Sequence, residues 1–230
     1  MSSKGFIGLG VMGSAMAGHI YNKYKNLIVY NRTMAKAKSW IKENGGNTAS
    51  NAAEVGELCE QVFLCVGNDE DVKEVVSGEE GLLQTMKKGG VIVDHTTISA
   101  DTTKELNELC SKKCISFIDA PVSGGQAGAE LGKLTVMAGG DEDYFSKVKE
   151  TIECYSKFIK LMGPSGSGQL TKMVNQICIA GLIQSLSEGL NFSEEVGLNT
   201  KEVIEVISKG AAQSWQMENR WETMLQDHYD

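Results

Sequence analysis

The sequence of 230 residues lacks the features that mark several classes of protein. It has 3 histidines and no CxxC pair, so its 6 cysteines complete no zinc-type signature, and no metal site is predicted. The net charge is -8 and no block rich in Lys and Arg occurs, which argues against DNA or RNA as a partner. Only 2 prolines are present, and the chain has no internal repeats or low-complexity tracts.

The sequence also lacks a long apolar run. The stretch after Gly168 is apolar for much of its length but falls well short of the ~20 consecutive apolar residues that span a membrane. Polar or charged residues interrupt it at Lys172, Asn175, Gln176, Gln184 and Glu188. We therefore expect no membrane partner.

The N-terminus and the cysteines bear on cellular location. Lys4 followed by GFIGLGVMGSAMA imitates a signal peptide, but its three glycines have a spacing that a signal sequence does not require, which favours a strand turning into a helix. Most cysteines stand in or beside apolar stretches, where a free thiol acts as a small hydrophobe. A metal or redox pair of Cys110 and Cys114 is the alternative. Buried thiols in a reducing cytosol are favoured, which predicts a cytoplasmic protein.

Short apolar runs alternate with amphipathic stretches in the first half of the chain. Hydrophobic residues make up 41% and charged residues 23%, which suffices for a buried core. The alternation predicts an α/β fold, a doubly wound parallel sheet of the Rossmann type. The predicted strands are Lys4–Leu9, Asn26–Asn31, Gln61–Val66, Gly90–Asp94 and Ile115–Asp119, with helices near Met12–Tyr24, Met34–Asn44, Asp69–Ser77 and Ala100–Lys112.

The strand signal disappears after Pro164. Before it, Lys133–Ala138 and Lys157–Leu161 are predicted as one or two further strands, with a helix near Asp141–Cys154 between them. Beyond it the pattern predicts only helices, near Ser167–Val196, Thr200–Ser208 and Ser214–Gln226. We therefore predict a sheet domain over residues 1–162 and an all-helical domain over residues 163–230.

A GxGxxG motif follows the first predicted strand and opens the first predicted helix. The first glycine makes the tight turn, the second lets a pyrophosphate approach the backbone, and the third lets the helix pack on the strand. The diphosphate then rests against a helix N-terminus. Because the strand-turn-helix context is right, the motif predicts a dinucleotide site. Its residues are Gly8, Leu9, Gly10, Val11, Met12 and Gly13.

The end of the second predicted strand bears on which dinucleotide is bound. An Asp or Glu there would bind the ribose 2′-hydroxyl of NAD, but this strand ends in Asn31-Arg32-Thr33. The uncharged Asn31 removes the repulsion of a 2′-phosphate. Arg32 can pair with that phosphate through its planar fork, and Thr33 adds a hydroxyl donor. We therefore predict that NADP(H) is preferred to NAD(H).

Four motifs in order resemble those of the β-hydroxyacid dehydrogenases, a family that includes 3-hydroxyisobutyrate dehydrogenase, tartronate semialdehyde reductase and glyoxylate/succinic semialdehyde reductases. They are GFIGLGVMGSAMAGHI near the start, DHTTIS at 94–99, DAPVSGG at 119–125 and GxxGxGxxxKxxN at 163–175. The resemblance covers nearly the whole chain. It implies a nicotinamide-dependent oxidoreductase that acts on small hydroxy acids.

The resemblance implies cofactor contacts in two further loops. Val66 and Asn68 lie where family members contact the cofactor through the backbone, although Cys65-Val66-Gly67-Asn68 stands where the family commonly has Met-Leu-Pro. Thr97 matches a threonine near the nicotinamide end of the cofactor. The structural alternative for Thr97 is a helix-capping hydroxyl, since a helix is predicted to follow.

The DAPVSGG motif matches the family's substrate-binding loop. Ser123, Gly124 and Gly125 are its matching residues. Glycines after a strand expose N–H groups that can hold a carboxylate, with the serine hydroxyl as a further donor. A plain connecting turn is the alternative.

Lys172 corresponds to the family's catalytic lysine, and Asn175 to its substrate-binding asparagine. Residues i and i+3 share a helix face, so the ammonium and the amide project the same way. A lysine whose pKa is lowered by burial or a nearby cation can act as general base for an alcohol and general acid for an aldehyde. The alternative is a solvent-facing lysine, but the helix around Lys172 is otherwise apolar.

The sequence therefore predicts an NADP-dependent oxidoreductase that interconverts a small β-hydroxy acid and its semialdehyde or keto acid. Relatives continue beyond the position of Asp230 through further helices, including one with a lysine near the cofactor, so we expect an incomplete helical domain. Missing helices would leave apolar surface open and favour a homodimer or tetramer. Two alternatives are a catalytically impaired scaffold that binds the cofactor and an imine-reducing relative, although such relatives generally replace the lysine.

Overall fold

The computed structural model describes residues 3–228, and a parallel sheet forms the centre of its first part. The sheet has six strands: β1 (Lys4–Ile7), β2 (Leu27–Tyr30), β3 (Asn47–Thr48), β4 (Gln61–Leu64), β5 (Val91–Asp94) and β6 (Ser116–Asp119). They lie in the order β3-β2-β1-β4-β5-β6, and every neighbouring pair is parallel. The order reverses between β1 and β4, where ligands bind at the carboxyl ends of such sheets.

Helices connect the strands of this sheet. They are α1 (Val11–Tyr24), α2 (Met34–Asn44), α3 (Ala52–Leu58), α4 (Asp69–Ser77) and α5 (Ala100–Lys112), with a short 3-10 helix at Leu82–Gln84. Several begin at side-chain caps that the sequence supplies: Asn51, Asn68 and Ser99 each accept a hydrogen bond from a backbone N–H three residues later. Such caps satisfy amides that the helix leaves unpaired.

The chain then forms a small second sheet. Its strands β7 (Val122–Ser123), β8 (Leu134–Ala138) and β9 (Ser156–Leu161) alternate with helices α6 (Gly125–Glu130) and α7 (Glu142–Ile152). β7 pairs antiparallel with β8, and β8 pairs parallel with β9.

Successive side chains of the parallel strands point to opposite faces of the sheet, and helices cover both faces. Phe6, Phe63 and Ile118 belong to one hydrophobic cluster, whereas their neighbours Ile7 and Leu64 belong to a second. Helix α1 packs in the first cluster through Met16, Ala17 and Ile20, and the second contains residues of α3, α4 and α5. The glycine turn and the strand ends are thereby held on a rigid support.

Beyond β9 only helices occur in the described residues: α8 (Ser167–Glu195), α9 (Thr200–Ile207) and α10 (Trp215–Leu225). The described residues form two compact units that divide within α8, between Lys172 and Met173. The second unit has its own core of Leu186, Leu190, Ile204 and Met217. No helix within residues 3–228 has the length and apolar character of a membrane span.

The predicted fold class is confirmed: a Rossmann-type sheet precedes an all-helical region. The predicted division at residues 162/163 follows the last strand by one residue and remains a prediction about domain organisation. Five short elements were not predicted: β3, α3, β7, α6 and the 3-10 helix. Each has seven residues or fewer, too few for a periodic pattern to distinguish from a loop.

Candidate active site

The glycine turn lies between β1 and α1, at the carboxyl edge of the sheet. Gly8 has φ +94°, and a Cβ there would collide with the carbonyl oxygen of Cys65. A Cβ on Gly13 would collide with the carbonyl oxygen of Gly8. A Cβ on Gly10 would meet no atom within 4 Å, so the backbone faces open space there. The three glycines thus have the turn, approach and packing roles that a dinucleotide fold requires of them.

Helix α1 begins without a side-chain cap. Its N-cap residue Gly10 forms no side-chain hydrogen bond, and the first turn holds no acidic residue. The unpaired N–H groups and the helix dipole therefore favour an anion at this end. Within the turn, Leu9 is buried, Met12 is partly buried and Val11 is largely exposed. Together with the open space at Gly10, this end of α1 fits the diphosphate of a dinucleotide.

The residues after β2 have partners within the protein. The Oδ1 atom of Asn31 accepts a hydrogen bond from the Leu9 N–H at 2.9 Å, so Asn31 fixes the glycine turn. Arg32 is exposed and forms an ion pair with Asp71, with 2.6 Å between Nη1 and Oδ1. Thr33 is the N-cap residue of α2, but its hydroxyl makes no capping bond. The predicted phosphate ligand Arg32 therefore has a competing carboxylate that the sequence did not reveal.

The loop after β4 is anchored by neighbouring elements. The N–H of Val66 donates to the Thr96 hydroxyl at 3.0 Å. The side chain of Asn68 caps α4 by accepting from the N–H of Asp71 at 2.8 Å. Asn68 thus has a structural role, whatever its backbone contacts.

The loop after β5 contains Thr97 between two buried neighbours. Thr97 is exposed, whereas Thr96 and Ile98 are buried. The cap of α5 is Ser99, whose hydroxyl accepts from the N–H of Thr102 at 3.1 Å. Helix capping therefore does not account for Thr97.

Asp94 and His95, at the start of that loop, are fully enclosed. Burial raises the pKa of Asp94 to about 7, against hydrogen bonds from Thr96 that lower it. Its Oδ1 accepts from the Thr96 N–H at 2.8 Å, and its Oδ2 has no hydrogen-bond partner among the described residues. Burial lowers the pKa of His95 to about 4, so His95 is neutral near pH 7.

The neutral His95 ties the loop to two other elements. Its Nδ1 lies 2.7 Å from the carbonyl oxygen of Ala120 and its Nε2 lies 2.8 Å from the Tyr155 hydroxyl. A carbonyl can only accept, so Nδ1 carries the proton and Nε2 accepts from Tyr155. This arrangement fits a structural role for His95.

The predicted substrate loop follows directly from this region. Ser123 ends β7, Gly124 has φ +139° and Gly125 has φ +62° and begins α6. A Cβ on Gly125 would meet nothing within 4 Å, so its backbone is open. The glycines therefore connect a short strand to a short helix, and the sequence predicted neither β7 nor α6.

Lys172 lies at the end of the first unit, with only 8% of its surface exposed. Its Nζ donates to the carbonyl oxygen of Val122 at 2.8 Å, and Val122 immediately precedes Ser123. No carboxylate within residues 3–228 forms an ion pair with Lys172, and burial lowers its pKa below the ordinary 10.5. The amine is therefore held beside the predicted substrate loop, and the prediction that it is not a solvent-facing lysine agrees with the structure.

Asn175 lies three residues further along α8, in the second unit. It is half-buried, and its Nδ2 donates to the Gln176 side chain at 3.0 Å. Gln184, another polar residue of this helix, is exposed and bonds to Glu188.

Two buried residues near Lys172 were not identified from the sequence. The carboxylate of Asp119 accepts from the N–H of Gly166 at 2.8 Å and from the N–H of Gln169 at 3.0 Å. Burial raises the pKa of Asp119, although these backbone bonds oppose the shift. The Gln169 side chain bonds to backbone atoms of Thr96 and Ile98. Both residues belong to quoted motifs, DAPVSGG and the glycine-rich stretch, and a buried polar side chain there was the available signal.

Residues 3–228 contain no group of three or more His, Cys, Asp or Glu side chains placed to hold a metal ion. The 6 cysteines are free, including Cys110, which is buried, and Cys114, which is exposed. Burial raises the pKa of Cys110 to about 12, which keeps that thiol protonated.

The glycine turn and the switch in strand order define a dinucleotide-binding protein of the Rossmann type. Comparison with known proteins gives the family. The model described as the NAD binding domain of 6-phosphogluconate dehydrogenase matches residues 3–163. The model described as NAD-binding of NADP-dependent 3-hydroxyisobutyrate dehydrogenase matches residues 166–230.

Individual relatives agree with this result. An uncharacterized oxidoreductase of Shewanella frigidimarina is 55% identical over 100% of this chain and 79% of its own length. The 2-hydroxy-3-oxopropionate reductase of Escherichia coli is 36% identical over 96% of this chain and 75% of its own length. The crystal structure of 3-hydroxyisobutyrate dehydrogenase from Salmonella typhimurium has a TM-score of 0.86 at 25% identity, covering 100% of this chain and 80% of that one.

The chain belongs to the β-hydroxyacid dehydrogenase family, as the four motifs predicted. It is an NAD(P)-dependent oxidoreductase of the class that acts on CH–OH groups.

Proposed function

We propose that the protein interconverts a small β-hydroxy acid and its semialdehyde or keto acid, that it prefers NADP(H), and that Lys172 is the general acid/base. The observation that carries the proposal is the buried Lys172 amine, hydrogen-bonded at 2.8 Å to the carbonyl oxygen that precedes Ser123. A lysine in this position supports proton transfer beside the predicted substrate loop.

The proton and the hydride leave the alcohol by separate routes. Gly8, Gly10 and Gly13 would hold a nicotinamide dinucleotide, which when bound would supply the hydride chemistry at the substrate carbon. As the C–H bond breaks and the C=O bond forms, the neutral amine of Lys172 takes the hydroxyl proton. In reduction the Lys172 ammonium returns a proton to the carbonyl oxygen, so atoms and charge balance in both directions.

The surroundings of Lys172 suit both directions. Burial disfavours the ammonium, and no carboxylate of the described chain offsets this effect within ion-pair distance. A lowered pKa increases the fraction of neutral amine available as a base, while the Val122 carbonyl still orients the protonated form. Reduction should therefore be favoured below the pKa of Lys172 and oxidation above it.

The substrate is proposed to carry a carboxylate. Ser123, Gly124, Gly125 and Asn175 are its proposed ligands, and the backbone of Gly125 is open. The E. coli relative is named for a small acid with a hydroxyl and an aldehyde group, which supports a substrate of the same chemical class. A panel of short aldehydes with and without a carboxylate tests this, and equal kcat/KM for both would contradict it.

The NADP(H) preference rests on Asn31, Arg32 and Thr33. Exposed ion pairs contribute little to stability, so Arg32 can leave Asp71 for a 2′-phosphate at small cost. Replacing Asp71 with Asn should then lower the KM for NADPH, because it frees Arg32 and removes a negative charge. A kcat/KM for NADH equal to or above that for NADPH in the unaltered protein would contradict the preference.

A homodimer or tetramer remains our proposal for the assembly, and the cytoplasm for the location. Large apolar side chains of the second unit are exposed, among them Ile177 at 73% and Val206 at 71%. Contiguous exposed apolar surface favours association. Light scattering after size exclusion measures the mass directly, and a monomer at micromolar concentration would contradict the proposal.

An assay of NADPH oxidation separates the proposed activity from the two alternatives, a cofactor-binding scaffold and an imine reductase. Mixing the protein with NADPH and a panel of semialdehydes and imines should produce NADPH oxidation with the semialdehydes. Binding of NADPH without oxidation would favour a cofactor-binding scaffold, and turnover only of imines would favour an imine reductase.

A further inference from the structure

Gln169 is fully buried in the first turn of α8, three residues before Lys172. Its side-chain amide bonds to the backbone on both sides of Thr97. The Nε2 atom donates to the Thr96 carbonyl at 2.7 Å, and the Oε1 atom accepts from the Ile98 N–H at 3.2 Å. We call residues 96–98 the Thr97 loop.

The backbone of Gln169 is held as firmly as its side chain. Its N–H donates to the Asp119 carboxylate at 3.0 Å, and the other oxygen of that carboxylate binds the N–H of Gly166. A Cβ on Gly168 would collide with the carbonyl oxygen of Met137, so the turn has no free space in which to shift. Three elements therefore meet at Gln169: the end of β6, the Thr97 loop and α8.

We infer that Gln169 is a positioning residue, which holds the Thr97 loop against the first turn of α8 and thereby sets where Lys172 lies relative to Thr97. The inference rests on the function proposed above, in which Lys172 is the acid/base, and on the family resemblance, which implies that Thr97 is near the nicotinamide. Residues i and i+3 share a helix face, so a displacement at Gln169 is transmitted to Lys172 within one turn.

The two backbone groups need one donor and one acceptor on a side chain of this length. The Thr96 carbonyl requires a donor and the Ile98 N–H requires an acceptor. Methionine has similar length but supplies neither, and leaves two buried backbone groups unpaired. An ionised carboxylate supplies only acceptors, whereas a protonated carboxyl supplies one donor and one acceptor and can replace the amide.

The first test measures cofactor affinity. Gln169→Met should weaken NADPH binding about tenfold but leave binding of 2′-phospho-ADP-ribose, which lacks the nicotinamide, within about twofold. If the protein binds NADH more tightly than NADPH, the same comparison is made between NADH and ADP-ribose. Gln184→Met makes the same change at an exposed position of α8 and should alter neither affinity.

The second test measures turnover. Misplacing reacting groups by about 1 Å can cost about 100-fold in rate, so kcat of Gln169→Met should fall by about that factor with a smaller change in the KM of the semialdehyde. Circular dichroism and Tm establish that the variant is folded.

Gln169→Glu provides a pH readout that a purely structural role would not give. Its activity relative to the unaltered protein should rise as pH falls from about 8 to about 6, because the protonated carboxyl restores the donor to Thr96. The groups facing this position are Asp119 from β6, Asp94 through its bond to Thr96, and Lys172 on the same helix. The two acids and the burial raise the pKa of the introduced carboxyl, so the recovery occurs near neutral pH.

The outcomes separate this inference from the proposed function. If the unaltered protein reduces no semialdehyde, the proposed function fails, and the two affinities still test the role of Gln169. Equal loss of NADPH and 2′-phospho-ADP-ribose binding, or a folded Gln169→Met with kcat within twofold of the unaltered protein, would overturn the inference. A flat activity ratio for Gln169→Glu across the pH range would do so as well.

Discussion

The two edges of the parallel sheet each hold a buried lysine, and only one of them has the surroundings of a site. At the amino edge, Lys4 starts β1, donates to Oε1 of Gln61 at 2.9 Å and lies 4.4 Å from the centre of the Tyr24 ring. At the carboxyl edge, Lys172 donates to the Val122 carbonyl beside the predicted substrate loop. Burial lowers the pKa of both lysines.

The two lysines differ in the interactions that oppose the effect of burial on the pKa. Cys154, Glu150 and Glu60 act to raise the pKa of Lys4 against its burial, while Lys23 acts to lower it. An aromatic ring also stabilises the cation. Burial lowers the pKa of Lys172, and its amine donates a hydrogen bond to one carbonyl. Burial alone therefore does not indicate a catalytic lysine. Lys172 is distinguished by the glycine turn and the open backbone at Gly125, which lie at the same edge of the sheet.

The largest expected effect comes from removing Lys172, and removal of Lys4 is its control. Lys172→Ala should reduce kcat for semialdehyde reduction by about 10²–10⁴-fold, the usual contribution of a general acid, while NADPH affinity persists. Lys4→Met is the matched change at the opposite edge and should leave kcat within about twofold. Steady-state kinetics and NADPH fluorescence titration measure both. Near-full turnover of Lys172→Ala would remove the mechanism.

Buried Asp94 at the carboxyl edge should make the unfolding free energy depend on pH, whereas an exposed acid should not. The pKa of Asp94 in the folded state, about 7, lies above its unfolded value, so its contribution to stability is fully present below about pH 4 and is lost as pH rises towards 7. The unfolding free energy of the unaltered protein, relative to Asp94→Asn, should therefore fall by about 4 kcal/mol between pH 4 and pH 8. Urea denaturation at each pH measures it.

Asp101 is the control for that experiment. Its side chain is 99% exposed, and Asp101→Asn should give a difference that does not vary with pH beyond about 0.5 kcal/mol. A difference for Asp94→Asn that is equally flat would show that Asp94 is not a buried acid with a raised pKa.

The smallest expected effect concerns the outer end of the cofactor site. Arg32→Ala should lower kcat/KM with NADPH about tenfold and leave kcat/KM with NADH within about twofold, because only the former has a 2′-phosphate. Lys38→Ala, an exposed cation on α2, should change neither value. Equal losses for both cofactors would assign Arg32 a structural role through Asp71 instead.

The sequence predicted the carboxyl edge better than the contacts within it. Periodicity placed the seven longer strands and the long helix to within a few residues, because each apolar run is long enough to show its period. The GxGxxG spacing placed the turn at Gly8, since backbone geometry there demands glycine. Short elements such as α6 were missed because six residues do not complete two helical turns.

Partnerships across the chain could not be predicted. Asp71 beside Arg32, Tyr155 beside His95 and Gln169 beside the Thr97 loop join residues 39, 60 and up to 73 positions apart. Local pattern carries no information on which side chains meet at such separations. Burial of Lys172 was predicted only because its helix is otherwise apolar.

The pH dependence of kcat/KM in the two reaction directions tests the central claim most directly. If the Lys172 amine moves the proton, reduction should decline and oxidation should rise through one pKa below 10.5, and both transitions should be absent from the residual activity of Lys172→Gln. Transitions that persist unchanged in that variant would show that another group transfers the proton.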